Sequence, residues 1–339
     1  MLAPFLAAVL AALPATGEPV RVDVSASAQF DGRTIMLAHS PDEGAWLAGE
    51  GSVAATLYSR KLVDDDAAPG LQPFLQRAWS LHVDGGGGGG AVRYPFKTIN
   101  VTAPSSKLID YRARVDDAHA ALTADGYFGR WLYGAASFGV SYQAWKPAPV
   151  AIAIGGFSPT GQITPGAAEA LDDNELQLPA SLALGVRVRE VLVTAGWSVT
   201  PYRVRDSDFH VRFWGGAFVA ARTVVARKLD LSARVDVVDR GALVSAAATL
   251  WLRRRIGLTA GVHGGHGGFV DYDAVYDTVG GNLGVSCWLS PALAATLAYA
   301  PTWQSPMSFV GFGFFAPSLS TVAHTITLTL TARPTLARR

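Results

Sequence analysis

The sequence predicts an all-β protein: a transmembrane antiparallel up-and-down β-barrel of about 14 strands. Three observations predict it. Half of the 339 residues are hydrophobic and only 16% are charged, yet beyond the N-terminus no apolar run reaches the roughly 18 residues that a membrane helix needs. Apolar residues instead recur with a period of two, which separates the two faces of a strand. The connections alternate between tight and long, as in a barrel whose two ends meet different compartments. Charge is balanced, 28 basic against 27 acidic residues, so no net field argues for nucleic acid. The single cysteine, Cys287, excludes internal disulfides and zinc-type Cys patterns.

In chain order, residues 1–17 read as an export signal. Met1 to Leu13 is nearly all Ala, Leu, Val and Phe, and Pro14-Ala15-Thr16-Gly17 suits signal-peptidase cleavage; a short buried helix is the alternative. Residues 18–333 form the barrel and 334–339 a C-terminal tail. Strands are expected near 20–28, 46–58, 78–84, 108–122, 131–142, 180–189, 191–199, 211–226, 229–237, 242–252, 256–263, 277–289, 293–300 and 321–331. Further pairs within 85–107 or 150–165 would alter the count, so 12 or 16 strands stay open. The clearest strand sets Leu229, Leu231, Ala233, Val235 and Val237 against Asp230, Ser232, Arg234 and Asp236. Ile326, Leu328 and Leu330 alternate with threonines in the same way. A soluble two-layer sandwich has only one core to fill and needs fewer strands with an apolar face.

Tight links fall at Arg189-Glu190, Arg227-Lys228, Arg253-Arg254-Arg255 and Ser290-Pro291. Long ones fall at 201–210, 264–277 and 301–320. With turn-strand units such as Arg227-Lys228-Leu229-Asp230-Leu231 and Arg255-Ile256-Gly257-Leu258, the chain resembles the porin-like outer-membrane β-barrel proteins of Gram-negative bacteria. The resemblance implies a multi-pass protein of the outer membrane after signal cleavage, with lipid around it and the barrel assembly machinery as a partner. It also implies short turns and both termini on the periplasmic side. Members usually end on an aromatic residue, whereas this chain continues past Leu330 to Ala337-Arg338-Arg339.

With the apolar face toward lipid, the other face lines the lumen, because Arg or Lys at the lipid midplane costs about 2–4 kcal/mol. The lumen-lining candidates are Glu50, Arg112, Arg114, Asp116, His119, Arg187, Arg189, Arg222, Asp230, Arg234 and Asp236. Apolar parity changes between Val115 and Ala118, so a β-bulge is expected at Asp116-Asp117. Trp197 and Tyr299 fit an interfacial girdle, Trp214, Trp251 and Trp288 fall on lumen parity, and Cys287 falls on lipid parity. The expected function is a passive or weakly selective pore for small hydrophilic solutes, with slight anion preference if the lumenal arginines are unpaired. The alternative is a non-conducting structural or surface-binding barrel acting through its external loops.

Little in the chain points to catalysis or to a cofactor, and none is expected. His263 and His266 sit among glycines near Asp271, Tyr272 and Asp273, but no third close-spaced ligand fixes a geometry, so the segment reads as a mobile loop and no metal is expected. Asp206, Asp208 and His210 lack a group to orient a general base. Gly85 to Gly90 reads as a flexible tip, since neither Lys-Ser/Thr nor a helix follows it. Asp64, Asp65 and Asp66, followed by Phe74, form the one long connection on the periplasmic side. It reads as an acidic turn leading to a short helix, or more sharply as a plug of the barrel mouth or a docking segment. Oligomeric state is not written in the sequence.

Overall fold

The computed structural model describes residues 20–37, 43–59, 79–99, 106–128, 131–147, 173–204, 210–211, 216–238, 241–253, 255–269, 274–290, 292–305, 308–309 and 320–332. They form a closed antiparallel barrel of 14 strands. The strands are β1 (Val20–Leu37), β2 (Glu43–Ser59), β3 (Trp79–Ile99), β4 (Ser106–Phe128), β5 (Leu132–Pro147), β6 (Asp173–Gln177 and Ala180–Val188) and β7 (Val191–Val199 and Pro201–Val204). The circuit continues through β8 (His210–Val211 and Gly216–Val225), β9 (Leu229–Val238), β10 (Gly241–Arg253), β11 (Ile256–Phe269), β12 (Ala274–Ser290), β13 (Leu293–Gln304 and Ser308–Phe309) and β14 (Thr321–Ala332). Each strand pairs with its sequence neighbours, and β1 meets β14 from Ala26↔Ala332 to Leu37↔Thr321. That seam removes both sheet edges, as a hydrocarbon surround demands.

All of the expected strands are present, and most run longer than their apolar alternation. Gly85 to Gly90 lies inside β3, paired with Val53 to Ala48 on β2 and with Ala120 to Val115 on β4. It is not a flexible tip: a ladder holds backbone on both sides and needs no side chain. Residues 85–99 continue β3 rather than add a pair, while 150–165 lie outside the described residues. The expected long links are partly strand too, since β7 reaches Val204, β11 reaches Phe269 and β13 reaches Gln304. No bulge interrupts Asp116-Asp117; the β3–β4 register runs unbroken from Trp79↔Gly126 to Ile99↔Ser106.

Two faces follow from this register. Outward positions carry exposed apolar side chains, among them Leu47, Leu184, Val262, Leu283 and Ile326, from 55% to 70% exposed. In water such a surface would be a large liability; in lipid it is the expected outer belt. Inward positions are small and polar, and cross-strand hydroxyl pairs join them at Ser27–Ser52 (2.6 Å), Ser137–Ser181 (2.6 Å), Thr249–Thr259 (2.9 Å) and Ser286–Thr296 (2.9 Å). A cluster of buried apolar side chains sits at the end with the tight turns, where Leu192, Val224, Trp251, Trp288 and Ala294 lie on the inner wall with Tyr127 and Tyr133 against them. The Trp251 ring lies over Gly257, where a Cβ would come within 3.1 Å of it, so the glycine lets the ring lie flat on the wall.

Arginine at two adjacent positions of β10 tests this alternation. Ala246→Arg puts the charge in lipid and is expected to lower unfolding free energy in phospholipid vesicles by about 2–4 kcal/mol. Ala247→Arg faces the lumen and is expected to cost less than about 1 kcal/mol by the same denaturant titration.

Candidate functional site

The lumenal wall is the candidate site, and two of its sectors hold clusters of charged side chains. The first spans β2, β3 and β4. Register sets Glu50, Gly88 and Asp117 in one row, Ser52, Gly86 and His119 in the next, then Ala54, Asp84 and Ala121, then Thr56, His82 and Thr123. Side chains from β2 and β4 converge over the two glycines. His119 Nδ1 lies 3.2 Å from Glu50 Oε1, and its Nε2 lies 3.5 Å from Asp84 Oδ2. Asp84 Oδ1 is 3.4 Å from His82 Nε2, and His82 Nδ1 is 2.8 Å from Thr56 Oγ1. One ligand atom each of Glu50, Asp117 and His119 can be chosen so that all lie within 4.8 Å of one another. Below this sector, Ser80 Oγ and Tyr133 Oη both donate to Asp125, the latter at 3.2 Å.

The second sector lies on β8 and β9. Arg222 grips Asp230 with two bonds, Nε to Oδ1 at 3.0 Å and an Nη to Oδ2 at 2.5 Å. Arg234 bonds Asp236 two residues along the same face at 2.6 Å, and its guanidinium sits 4.0 Å from the Phe218 ring centroid. Such bidentate and stacked geometry suits arginine's planar fork. It also means that neither guanidinium is a bare positive charge.

Among the predicted lumen residues, Glu50 and His119 meet in the first sector, and Arg222, Asp230, Arg234 and Asp236 in the second. Arg187 sits at the tight-turn end, 5.4 Å from the Tyr127 ring centroid. Three assignments need correction. Arg114 and Asp116 point outward, bonded to each other at 2.8 Å and with Lys146 3.2 Å from Asp116. They lie roughly 30 Å up a tilted strand from its turn end, beyond an apolar band about 25 Å tall. Outward charge there meets water, which is why parity seemed to flip in the sequence. Arg189 occupies the two-residue turn at φ 57° and is exposed at the rim rather than in the lumen. The side chain of Arg112 lies outside the described residues, as do Asp64, Asp65, Asp66, Phe74, Asp206, Asp208, Trp214 and the side chain of His210.

His263 and His266 do not form a pair either. They sit on strand β11, not on a loop, with opposite parity: His263 faces inward, 3.5 Å from Thr302, and His266 faces outward, 2.8 Å from Asp277. Trp251 and Trp288 do pack inside, and Trp197 and Tyr299 lie on the outer face. Sequence reasoning missed His82, Asp84 and Asp117. The alternation Ser80-His82-Asp84 against Leu81-Val83 was a usable signal, but the glycine run that follows hid its continuation.

No family model matches this sequence, and no curated protein matches it at the sequence level. Solved structures do match in shape. The toluene transporter TodX of Pseudomonas putida is similar, with 10% identity and a TM-score of 0.51 over 96% of this chain and 93% of that one. The outer membrane protein Omp33 of Acinetobacter baumannii (10% identity, TM-score 0.47, 92% and 98% covered) and the translocator domain of NalP from Neisseria meningitidis (13%, 0.45, 98% and 95%) also match. This chain has the outer-membrane β-barrel fold.

For such a barrel, thiol chemistry distinguishes lumen from lipid. In a Cys287→Ser background, Ser232→Cys is expected to react with a charged, membrane-impermeant thiol reagent. Its neighbours Leu231→Cys and Ala233→Cys in vesicles are expected to stay unmodified. Equal labelling of all three would contradict the assigned faces.

Proposed function

We propose that this barrel is a passive pore of the bacterial outer membrane that admits small hydrophilic solutes. The observation that supports this reading is the inner wall itself, with its hydroxyl pairs, Asn282, the two charged sectors and many small residues between them. Such a surface favours water over hydrocarbon. TodX is described as a toluene transporter; the polar wall here argues for a hydrophilic cargo instead. The apolar cluster at the tight-turn end would form the least polar stretch of the path and limit the size of what passes.

The anion preference expected from unpaired arginines is not carried into this proposal, because Arg222 and Arg234 both hold aspartates. The carboxylates Glu50, Asp84 and Asp117 line the opposite sector, and among the described residues no lysine or arginine pairs with them. The pore is therefore weakly cation-selective. Refolded protein in a planar bilayer under a KCl gradient should give stepwise conductance with a reversal potential on the cation side. Replacing Glu50, Asp84 and Asp117 together by their amides should move that potential toward zero. Silence of correctly folded protein would overturn the pore reading in favour of a non-conducting barrel.

A further inference from the structure

We propose that Glu50, Asp117 and His119 form a binding site for a divalent transition-metal ion on the lumenal wall, with Asp84 orienting the imidazole. The donor set is one imidazole nitrogen and two carboxylates, a combination that suits zinc and its neighbours better than magnesium or calcium. Bond lengths of about 2.0–2.2 Å to zinc place tetrahedral ligand atoms roughly 3.3 Å from one another. The 3.2 Å between His119 Nδ1 and Glu50 Oε1 is already that of one edge. The three ligand atoms lie within 4.8 Å of each other, so small rotations of half-buried side chains close the triangle. A fourth position would face the lumen and take water.

The surroundings supply an independent reason. A metal-binding histidine usually gives its other nitrogen to a carboxylate, which fixes the ring and its tautomer. Here Asp84 Oδ2 faces His119 Nε2 at 3.5 Å, leaving Nδ1 toward Glu50, and Asp84 is itself held near His82, which Thr56 anchors. Gly86 and Gly88 form the floor of the recess. A Cβ on Gly88 would overlap the Gly49 carbonyl oxygen, and one on Gly86 the Gly51 carbonyl and Ser52, so no side chain of β3 can fill the space. Glu50, Asp84 and Asp117 gather negative charge with no lysine or arginine partner among the described residues, and a cation relieves the repulsion.

The site does not rest on the pore reading, and its test reads binding rather than conductance. Full-length protein without an affinity tag, folded in detergent micelles and stripped with a chelator, is dialysed against zinc chloride, and bound zinc is measured. One zinc ion per chain is expected. His119→Ala, Glu50→Gln and Asp117→Asn should each weaken binding at least tenfold, and Asp84→Asn by about 10–100-fold. His263→Ala and His266→Ala should leave it unchanged. Heat-modifiable gel mobility checks that each variant is folded, and the near-isosteric Glu50→Gln and Asp117→Asn carry the test if His119→Ala does not fold. Absence of stoichiometric zinc in the wild type, binding indifferent to the Glu50 and Asp117 changes, or equal competition by magnesium would overturn the proposal.

Discussion

In hydrocarbon there is no water to satisfy a backbone amide or carbonyl, so each strand that crosses must have a partner on both sides. The pairing of β1 with β14 over Ala26↔Ala332 to Leu37↔Thr321 meets that demand. Everything else in the molecule depends on it. Closure fixes which side of every strand is outside, and the two-residue period then sends Leu283 and Val285 to lipid and Asn282 and Gly284 to the lumen. An open sheet with the same sequence would expose unpaired backbone at both edges and would have no interior to line.

Closure also explains how the inner wall is built. Neighbouring strands are close, so a glycine on the next strand makes room for a large side chain turned inward to lie across it. Trp251 lies over Gly257, and Phe218 takes the space beside Gly196 while Arg234 stacks on its ring. On β3 the same device serves polar groups: Gly86 and Gly88 let Glu50, His119 and Asp117 approach from strands that are not adjacent. The glycines that weaken the sequence signal for a strand are thus the ones that shape the lumen.

That trade decides what could be read from the sequence. Strand positions near the tight turns were legible, because there the outward residues of segments such as Leu229 to Val237 must be apolar and the inward ones need not be. The far ends were not. Beyond the lipid band both faces meet water, so the outward pair Arg114 and Asp116 carries no mark that separates it from a lumenal pair. Gly85 to Gly90 has no side chain to alternate. The arginine–aspartate pairs of β8 and β9 were visible as lumen residues; Arg234 and Asp236 pair within one strand, whereas the Arg222–Asp230 pair depends on register across a turn. The Glu50, Asp84, Asp117 and His119 group draws on three strands, and only the registers of β2, β3 and β4 bring it together.

The seam between the first and last strands is the feature on which this account stands, and a cross-link across it is the most direct test. In a Cys287→Ser background, Ser27→Cys and Thr331→Cys stand directly opposite each other on β1 and β14. A short bifunctional thiol reagent applied to the folded protein in vesicles should join them efficiently, and should join Ser27→Cys far less well to a cysteine at Thr325. Failure of the Ser27–Thr331 pair to link, or better linking in a shifted register, would contradict a barrel closed in this way.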